Sequence, residues 1–388
     1  MEKDENGERA GGEPGDFVVT PWEVEGQVDY TRLVEKFGTQ PITSEILAKV
    51  RHMTGEIHPM LKMSYFFSHR DFDWILDRSE KGEDFYLYTG RGPSGPVHMG
   101  HILPWIFTKY LQDKFGSKLL FQFTDDEKYL YGADRTREEI RRYTYENILD
   151  VIATGFDHEK TKIIIDTKHI ASLYPLATEI AKKITFSTAK SVFGFTNSTN
   201  IGMIGFPPVQ AAPCFLPSVL ESKKVPVLIP AAIDQDPYWR MTRDVADRLG
   251  YYKPAQIHSK FLPALGIGGK MSSSKPETAV FTTDDPEVID KKVSTALTGG
   301  QPTVALQREL GANALGCPVF WYLRYFFDNE RQSDERMLKC KSGGLLCGEC
   351  KSDLSKGAKP FIAAFKKRRE RAKDLVTKFM FDDKPFEA

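Results

Sequence analysis

Phe85-Tyr86-Leu87-Tyr88 runs into Thr89-Gly90-Arg91-Gly92-Pro93-Ser94-Gly95-Pro96, then into an apolar segment from Gly100 to Phe115 closed by Gly116, then into Leu119-Leu120-Phe121-Gln122-Phe123. The pattern reads as strand, glycine-rich loop, helix, strand. Such a βαβ unit has a right-handed crossover and parallel strands. Apolar runs at Lys162 to Ile165, Val225 to Ile229 and Ile257 to Leu262 supply further strands. The expected architecture is therefore α/β: an open, mostly parallel, Rossmann-like sheet that takes ligands beyond the carboxyl ends of its strands.

Outward from this unit, 388 residues exceed what one hydrophobic core usually organises. Residues 1–16 are acidic and glycine-rich and predict a disordered tail. Residues 17–283 read as the catalytic domain, with an N-terminal extension over 17–80 and an insertion over about 125–222. Thr43 to Ser79 within the extension has a helical pattern, turning near Gly55 and Pro59. From Asp284 onward the strand signals cease, and 284–388 reads as an all-helical domain.

Basic and acidic residues balance at 53 each, so total charge points to no nucleic-acid partner and only a local charge pattern could. No apolar run is long enough to span a membrane, and the N-terminus has neither a secretory hydrophobic centre nor transit-peptide character, which predicts a cytoplasmic protein. Five cysteines in a chain of this length suggest reduced thiols, not a disulfide framework.

Two short motifs carry chemistry. His98-Met99-Gly100-His101 follows the glycine-rich loop at a helix start, where free backbone N–H groups bind phosphate readily. At a spacing of three, His98 and His101 share a helix face and can both donate to phosphate oxygens. Lys270-Met271-Ser272-Ser273-Ser274 follows glycines at 266, 268 and 269, so a hinged loop presents one cation and three hydroxyls. Preorganised charge of that kind stabilises a transition state by ~3–4 kcal/mol per donor. Alone, the first motif matches a glycine turn and the second a polar surface loop. Together, in this order, they describe a site that activates a carboxylate with ATP, with His98, His101 and Lys270 as catalytic candidates.

With these signatures the chain resembles the class I aminoacyl-tRNA synthetases. Longer stretches resemble the tryptophanyl type of eukaryotes and archaea: Phe66-Phe67-Ser68-His69-Arg70-Asp71, Leu87 to Ser94, Thr124-Asp125-Asp126-Glu127-Lys128, Gln210-Ala211-Ala212-Pro213 and Ala232-Ile233-Asp234-Gln235-Asp236-Pro237-Tyr238. The likeness extends from Phe17 to the C-terminus. It implies that Tyr88 and Gln122 meet the indole of L-tryptophan, and that Glu127, Gln210 and Gln235 meet its α-amino end. It also implies ATP contacts at Arg91, His98, Gly100, His101, Asp234, Lys270, Met271, Ser272, Ser273 and Ser274, with Mg2+ arriving on the nucleotide. The implied reaction is tryptophanyl-adenylate formation and transfer to the 3′ end of tRNA(Trp). The implied assembly is a homodimer, and the implied role of the helical domain is anticodon binding. Without the resemblance, Gln122 inside a strand reads as a solvent-facing amide. The loop between Arg91 and His98 is one residue shorter than in human-type enzymes, which leaves the contacts of Ser94 to Val97 open. A tyrosyl enzyme of the same class, a non-catalytic tRNA-binding or signalling paralogue, and a small-molecule nucleotidyltransferase are the alternatives.

Two C-terminal features stay open in the sequence. Lys366, Lys367, Arg368 and Arg369 are either a tRNA-backbone contact or a solvated helix face. Cys340, Cys347 and Cys350 include one pair at metal-ligand spacing, yet structural zinc wants four ligands, no histidine follows His258, and only Cys317 is left. The expectation is no structural zinc and no protein-bound metal.

Overall fold

A computed structural model describes residues 18–19, 24–25, 29–132, 134–266, 271 and 275–383. The acidic tail, Lys270 and Ser272 to Ser274 lie outside the described residues. Strands β1 (Val18–Val19) and β2 (Val24–Glu25) form an antiparallel ribbon. The main sheet holds β3 (Gln40–Pro41), β4 (Phe66–Arg70), β5 (Tyr86–Arg91), β6 (Leu119–Phe123), β7 (Thr161–Ile165), β8 (Val227–Ala232) and β9 (Ala255–Ser259), in the order β3-β4-β9-β8-β5-β6-β7. From β9 to β7 every neighbouring pair is parallel, whereas β4 is antiparallel to both β9 and β3. The parallel part starts in the middle at β5, winds out to β7, and returns on the other side through β8 and β9. That reversal leaves a crevice at the carboxyl ends of β5 and β8, where open α/β sheets bind ligands.

Successive strand residues point to opposite faces, and here both faces are buried, as a parallel sheet requires. Leu87, Leu119, Phe121, Phe123 and Ile163 pack in one cluster with helices α1 (Met99–Phe115) and α3 (Arg137–Thr154). Tyr86, Tyr88, Leu120 and Ile164 pack in another with α4 (Ile201–Ala211) and α5 (Asp236–Leu249). Between β6 and α3 lies the short helix α2 (Asp125–Tyr131).

Two segments differ from the sequence expectation. Phe66–Arg70, inside the stretch with a helical pattern, is the strand β4, because five residues beside β9 gain a ladder of hydrogen bonds that local periodicity does not reveal. Residues 125–165, within the expected insertion, build α3 and the edge strand β7 and so continue the doubly wound pattern.

After residue 284 the described elements are helical, including α6 (Pro318–Phe326), α7 (Glu330–Lys341) and α8 (Cys347–Ala372). Val319, Phe320, Leu354, Ile362 and Phe365 join the same apolar cluster as α1 and α3, so the helical region is packed onto the sheet domain. The basic stretch takes part in this packing. Arg369 Nε donates to Asp150 Oδ1 on α3 at 2.9 Å and its Nη2 meets Glu146, Arg368 Nε donates to the Ala153 carbonyl at 2.7 Å, and Lys366 pairs with Asp285 at 2.6 Å. Lys367 stays exposed. Arg369→Ala leaves the Asp150 carboxylate, 2% exposed, without its cation. The expected loss of unfolding free energy in urea is ~3–5 kcal/mol. A loss below ~1 kcal/mol would place the pair with weak surface contacts instead.

Candidate active site

A cavity of about 610 Å³ opens at the carboxyl ends of β5 and β8. Of the residues singled out in the sequence, Tyr88, Arg91, His98, Gly100, His101, Gln122, Glu127, Gln210, Asp234, Gln235 and Met271 all line it. They come from five stretches of the chain, and the sheet's reversal is what brings them together.

At the closed end, Tyr88 is fully buried, which pushes its phenol pKa well up and keeps the proton on. Its hydroxyl lies against Gln122 Oε1 and 2.8 Å from the Gln210 carbonyl oxygen. One phenol proton can serve only one of these acceptors at a time, so a further N–H donor can be accommodated. Gln122 is buried, not solvent-facing, and its Nε2 donates to Asp166 Oδ1 at 2.8 Å. That bond fixes which way the amide points. Burial, and then the neighbouring Asp126 carboxylate, push Asp166 well above the usual carboxylate range, while burial pushes Asp126 up to about 6. Trp239 packs edge-on to Tyr88 with centroids 5.3 Å apart. A Cβ at Gly90, which pairs with Gln122 across β5 and β6, would sit 2.7 Å from the Gln122 carbonyl oxygen. Gly90 is therefore required where the two strands meet the cavity.

Beside this pocket, Glu127 in the first turn of α2 accepts from Thr124 Oγ1 at 2.9 Å and pairs with Lys128 Nζ at 2.6 Å. Its buried carboxylate faces the cavity with the Gln210 and Gln235 amides, a set of acceptors suited to an ammonium group.

The opposite wall is the start of α1. His98 is its N-cap, and the His98 backbone N–H donates to His101 Nδ1 at 3.2 Å. With Nδ1 accepting, His101 carries its proton on Nε2. The two imidazoles stack with centroids 3.5 Å apart. Arg91 is half-buried at the cavity wall, and desolvation there lowers its pKa to about 10 and leaves it charged at neutral pH. Its Nη2 donates to the carbonyls of Gly95 and Pro96 at 3.2 and 3.3 Å, and its Nε to Asn147, whose Nδ2 also binds Gly95. Arg91 thus anchors the glycine-rich loop as well as lining the cavity.

The histidine motif is tied through backbone to the segment that follows the Lys270 motif. Met99 N–H donates to the Val280 carbonyl at 2.9 Å and Thr282 N–H to the Val97 carbonyl at 3.0 Å. A Cβ at Gly100 would lie 2.2 Å from Met271 Cε, and Met271 Sδ accepts from Tyr322 on α6 at 2.8 Å. Asp166, Asn147, Trp239 and Tyr322 carried no signal in the sequence, since each acts through a contact distant along the chain. Among the described residues no group of three or more His, Cys, Asp or Glu is placed to hold a metal ion.

Comparison with known proteins agrees with this geometry. Residues 80–363 match the family described as tRNA synthetases class I (W and Y). The tryptophan--tRNA ligase of Pyrobaculum calidifontis is 48% identical over 369 residues, covering 95% of this chain and 99% of its own. The chain belongs to the tryptophan branch of the class I tRNA synthetases. A second member of this branch, from Pyrococcus abyssi, is 52% identical over 373 residues and covers 95% of both chains. The solved tryptophanyl-tRNA synthetase from Giardia lamblia is 36% identical, with a TM-score of 0.86 over 92% of this chain and 97% of that one. The synthetase from Aeropyrum pernix gives 0.82 at 32% identity, over 93% and 97% of the two chains. Class I membership accounts for the Rossmann-like sheet and for the helices packed after it. No described helix is long and apolar enough to cross a membrane.

Proposed function

We infer that the protein is a tryptophan--tRNA ligase, joining L-tryptophan to ATP and passing the aminoacyl group to tRNA(Trp). The observation that carries this reading is a single cavity whose closed end is the Tyr88, Gln122, Asp166 array and whose opposite wall is the histidine-bearing helix start. A flat aromatic ring with one N–H donor suits the closed end: Trp239 and Tyr88 wall it, and Gln122 Oε1 accepts. Glu127, Gln210 and Gln235 then hold the ammonium, and the carboxylate points towards α1.

A tryptophan carboxylate oxygen forms the new bond to the α-phosphorus of Mg-ATP. The bond from that phosphorus to the bridging oxygen breaks, and pyrophosphate leaves with the electron pair. Gly100 admits the nucleotide close to the helix start, Asp234 accepts from ribose hydroxyls, and His98, His101 and Lys270 meet the phosphate charge. Positioning and charge stabilisation supply the rate enhancement, without an enzyme-bound intermediate. In the second step the 2′-hydroxyl of the terminal tRNA adenosine attacks the activated carbonyl, and AMP leaves. We place the protein in the cytoplasm as a homodimer whose helical region binds the anticodon. Lys367 is exposed and suits backbone contact with the tRNA, and the surface pair of Lys366 can open for the same purpose.

ATP–pyrophosphate exchange with tryptophan, tyrosine and phenylalanine under one condition tests the reading. Exchange with tryptophan alone is the expected result. Exchange with tyrosine would overturn the assignment of Gln122, and no exchange with any of the three would put a non-catalytic paralogue first.

A further inference from the structure

Four of the protein's five cysteines meet at one place, outside the active site. Cys317, Cys340, Cys347 and Cys350 line a common small void of about 10 Å³ in the helical region. Three helix ends converge there. Cys317 is the N-cap of α6, Cys340 lies in the last turn of α7, and Cys347 and Cys350 stand at the first and fourth positions of α8. The fifth, Cys214, is buried in the other apolar cluster.

Free cysteines are often small core hydrophobes, but those need no common meeting point. Thiols gathered from three separate elements, one pair in Cys-x-x-Cys spacing, are the ligand set of a structural metal centre in a reduced compartment. Burial raises the Cys340 thiol and pushes Cys350 up to about 11, so a thiophilic ion has to displace these protons to bind. The start of a 26-residue helix at Cys347 offers free N–H groups and the positive end of its dipole. Arg336, shared with Asp328 and Asp353, stands 3.7 Å from Cys350 Sγ. Gly300 is pressed against Cys347, where a Cβ would lie 2.6 Å from Sγ. The sulfurs do not close on one point as they stand, and no three of them are yet placed to hold an ion. Cys340 Sγ is turned to the Ala312 carbonyl at 3.8 Å and Cys347 Sγ to Gln307 Oε1 at 3.4 Å. These are weak sulfur contacts, and rotation about a single χ1 between staggered wells redirects each.

We propose that Cys317, Cys340, Cys347 and Cys350 form a four-thiolate site for a thiophilic metal centre, which staples α6, α7 and α8 together. The shared chemistry is sulfur ligation of zinc or of an iron–sulfur cluster, the two centres that four cysteines take. The small void suits a single ion, whereas sulfurs spread beyond one point suit a polynuclear cluster. Loading replaces each S–H proton with a metal–sulfur bond, so the thiol protons are released as the centre forms. The proposal goes against the sequence expectation of no metal by taking Cys317, at the start of a different helix, as the fourth ligand.

The test is to purify the full-length chain without oxygen or chelator and to measure zinc, iron and acid-labile sulfide per chain. Roughly one zinc, or iron with matching sulfide and visible charge-transfer absorption, supports the site and says which centre it holds. Cys347→Ala and Cys350→Ala should each lower the bound metal at least roughly tenfold, while Cys214→Ala should retain it. Metal-free wild-type protein with all four thiols reacting freely with a thiol reagent would overturn the proposal, as would equal metal in the wild type and the Cys347→Ala and Cys350→Ala variants. None of these readouts depends on aminoacylation, so the result stands apart from the proposed function.

Discussion

Gln122→Leu is expected to lower kcat/KM for tryptophan roughly 1,000-fold in pyrophosphate exchange, with little change in the KM for ATP. The size follows from counting what the substitution leaves unpaired. Gln122 Oε1 lies against the Tyr88 hydroxyl, and its Nε2 donates to the buried Asp166. With leucine, the incoming indole N–H loses its acceptor while Asp166 loses its donor. Each unpaired buried group costs ~1–3 kcal/mol, and a total near ~4 kcal/mol corresponds to about three powers of ten. Tyr88 still has the Gln210 carbonyl, so Tyr88→Phe should cost less. A tryptophan KM within threefold of the wild type for Gln122→Leu would show that the indole is read elsewhere.

The same residue shows what the sequence could and could not disclose. A glutamine in the apolar run Leu119 to Phe123 reads by pattern as a solvent-facing residue, and only the family likeness moved it into a pocket. The structure gives the physical reason: β6 is covered on both faces, so an amide there must find partners inside. β6 was legible to the residue, because five buried positions are bounded by a glycine-led turn and an acidic helix start. β4 was not, since a strand antiparallel to β9 depends on a partner almost two hundred residues away. Asp166 and Asn147 were hidden for a like reason. Each lies just beyond or within an ordinary element, and its role arises from the neighbour that folding delivers. Arg369 shows the converse. A basic run looks like a nucleic-acid surface until the partners of Arg369, Glu146 and Asp150, are seen on α3.

Packing between the two nucleotide motifs bears on the second large effect. Met271 is buried between Gly100 and Tyr322, so this one residue of the second motif is seated on the first and on the helical region at once. Its flanks are tied too: Leu265 N–H donates to the Thr278 carbonyl at 2.8 Å, and Thr278 N–H to the Lys275 carbonyl at 3.0 Å. Lys270 lies outside the described residues, but its neighbour Met271 is anchored at the rim of the cavity.

Lys270→Ala should accordingly slow adenylate formation roughly 100- to 1,000-fold in single-turnover quench experiments. Removing the ammonium takes away a charge that matters most as negative charge builds on the leaving pyrophosphate. The ground-state affinity for tryptophan should barely change, because the acceptors proposed to hold it are on β6, α2, α4 and the turn before α5. Thermal unfolding should also stay where it is, since Met271 remains in place as a buried anchor. A variant with a normal single-turnover rate would remove Lys270 from the chemistry and transfer the phosphate charge to His98 and His101. A variant whose melting temperature collapsed with its rate would instead make the loop a structural element. The two motifs would then be coupled through packing, with no separate electrostatic contribution from the lysine.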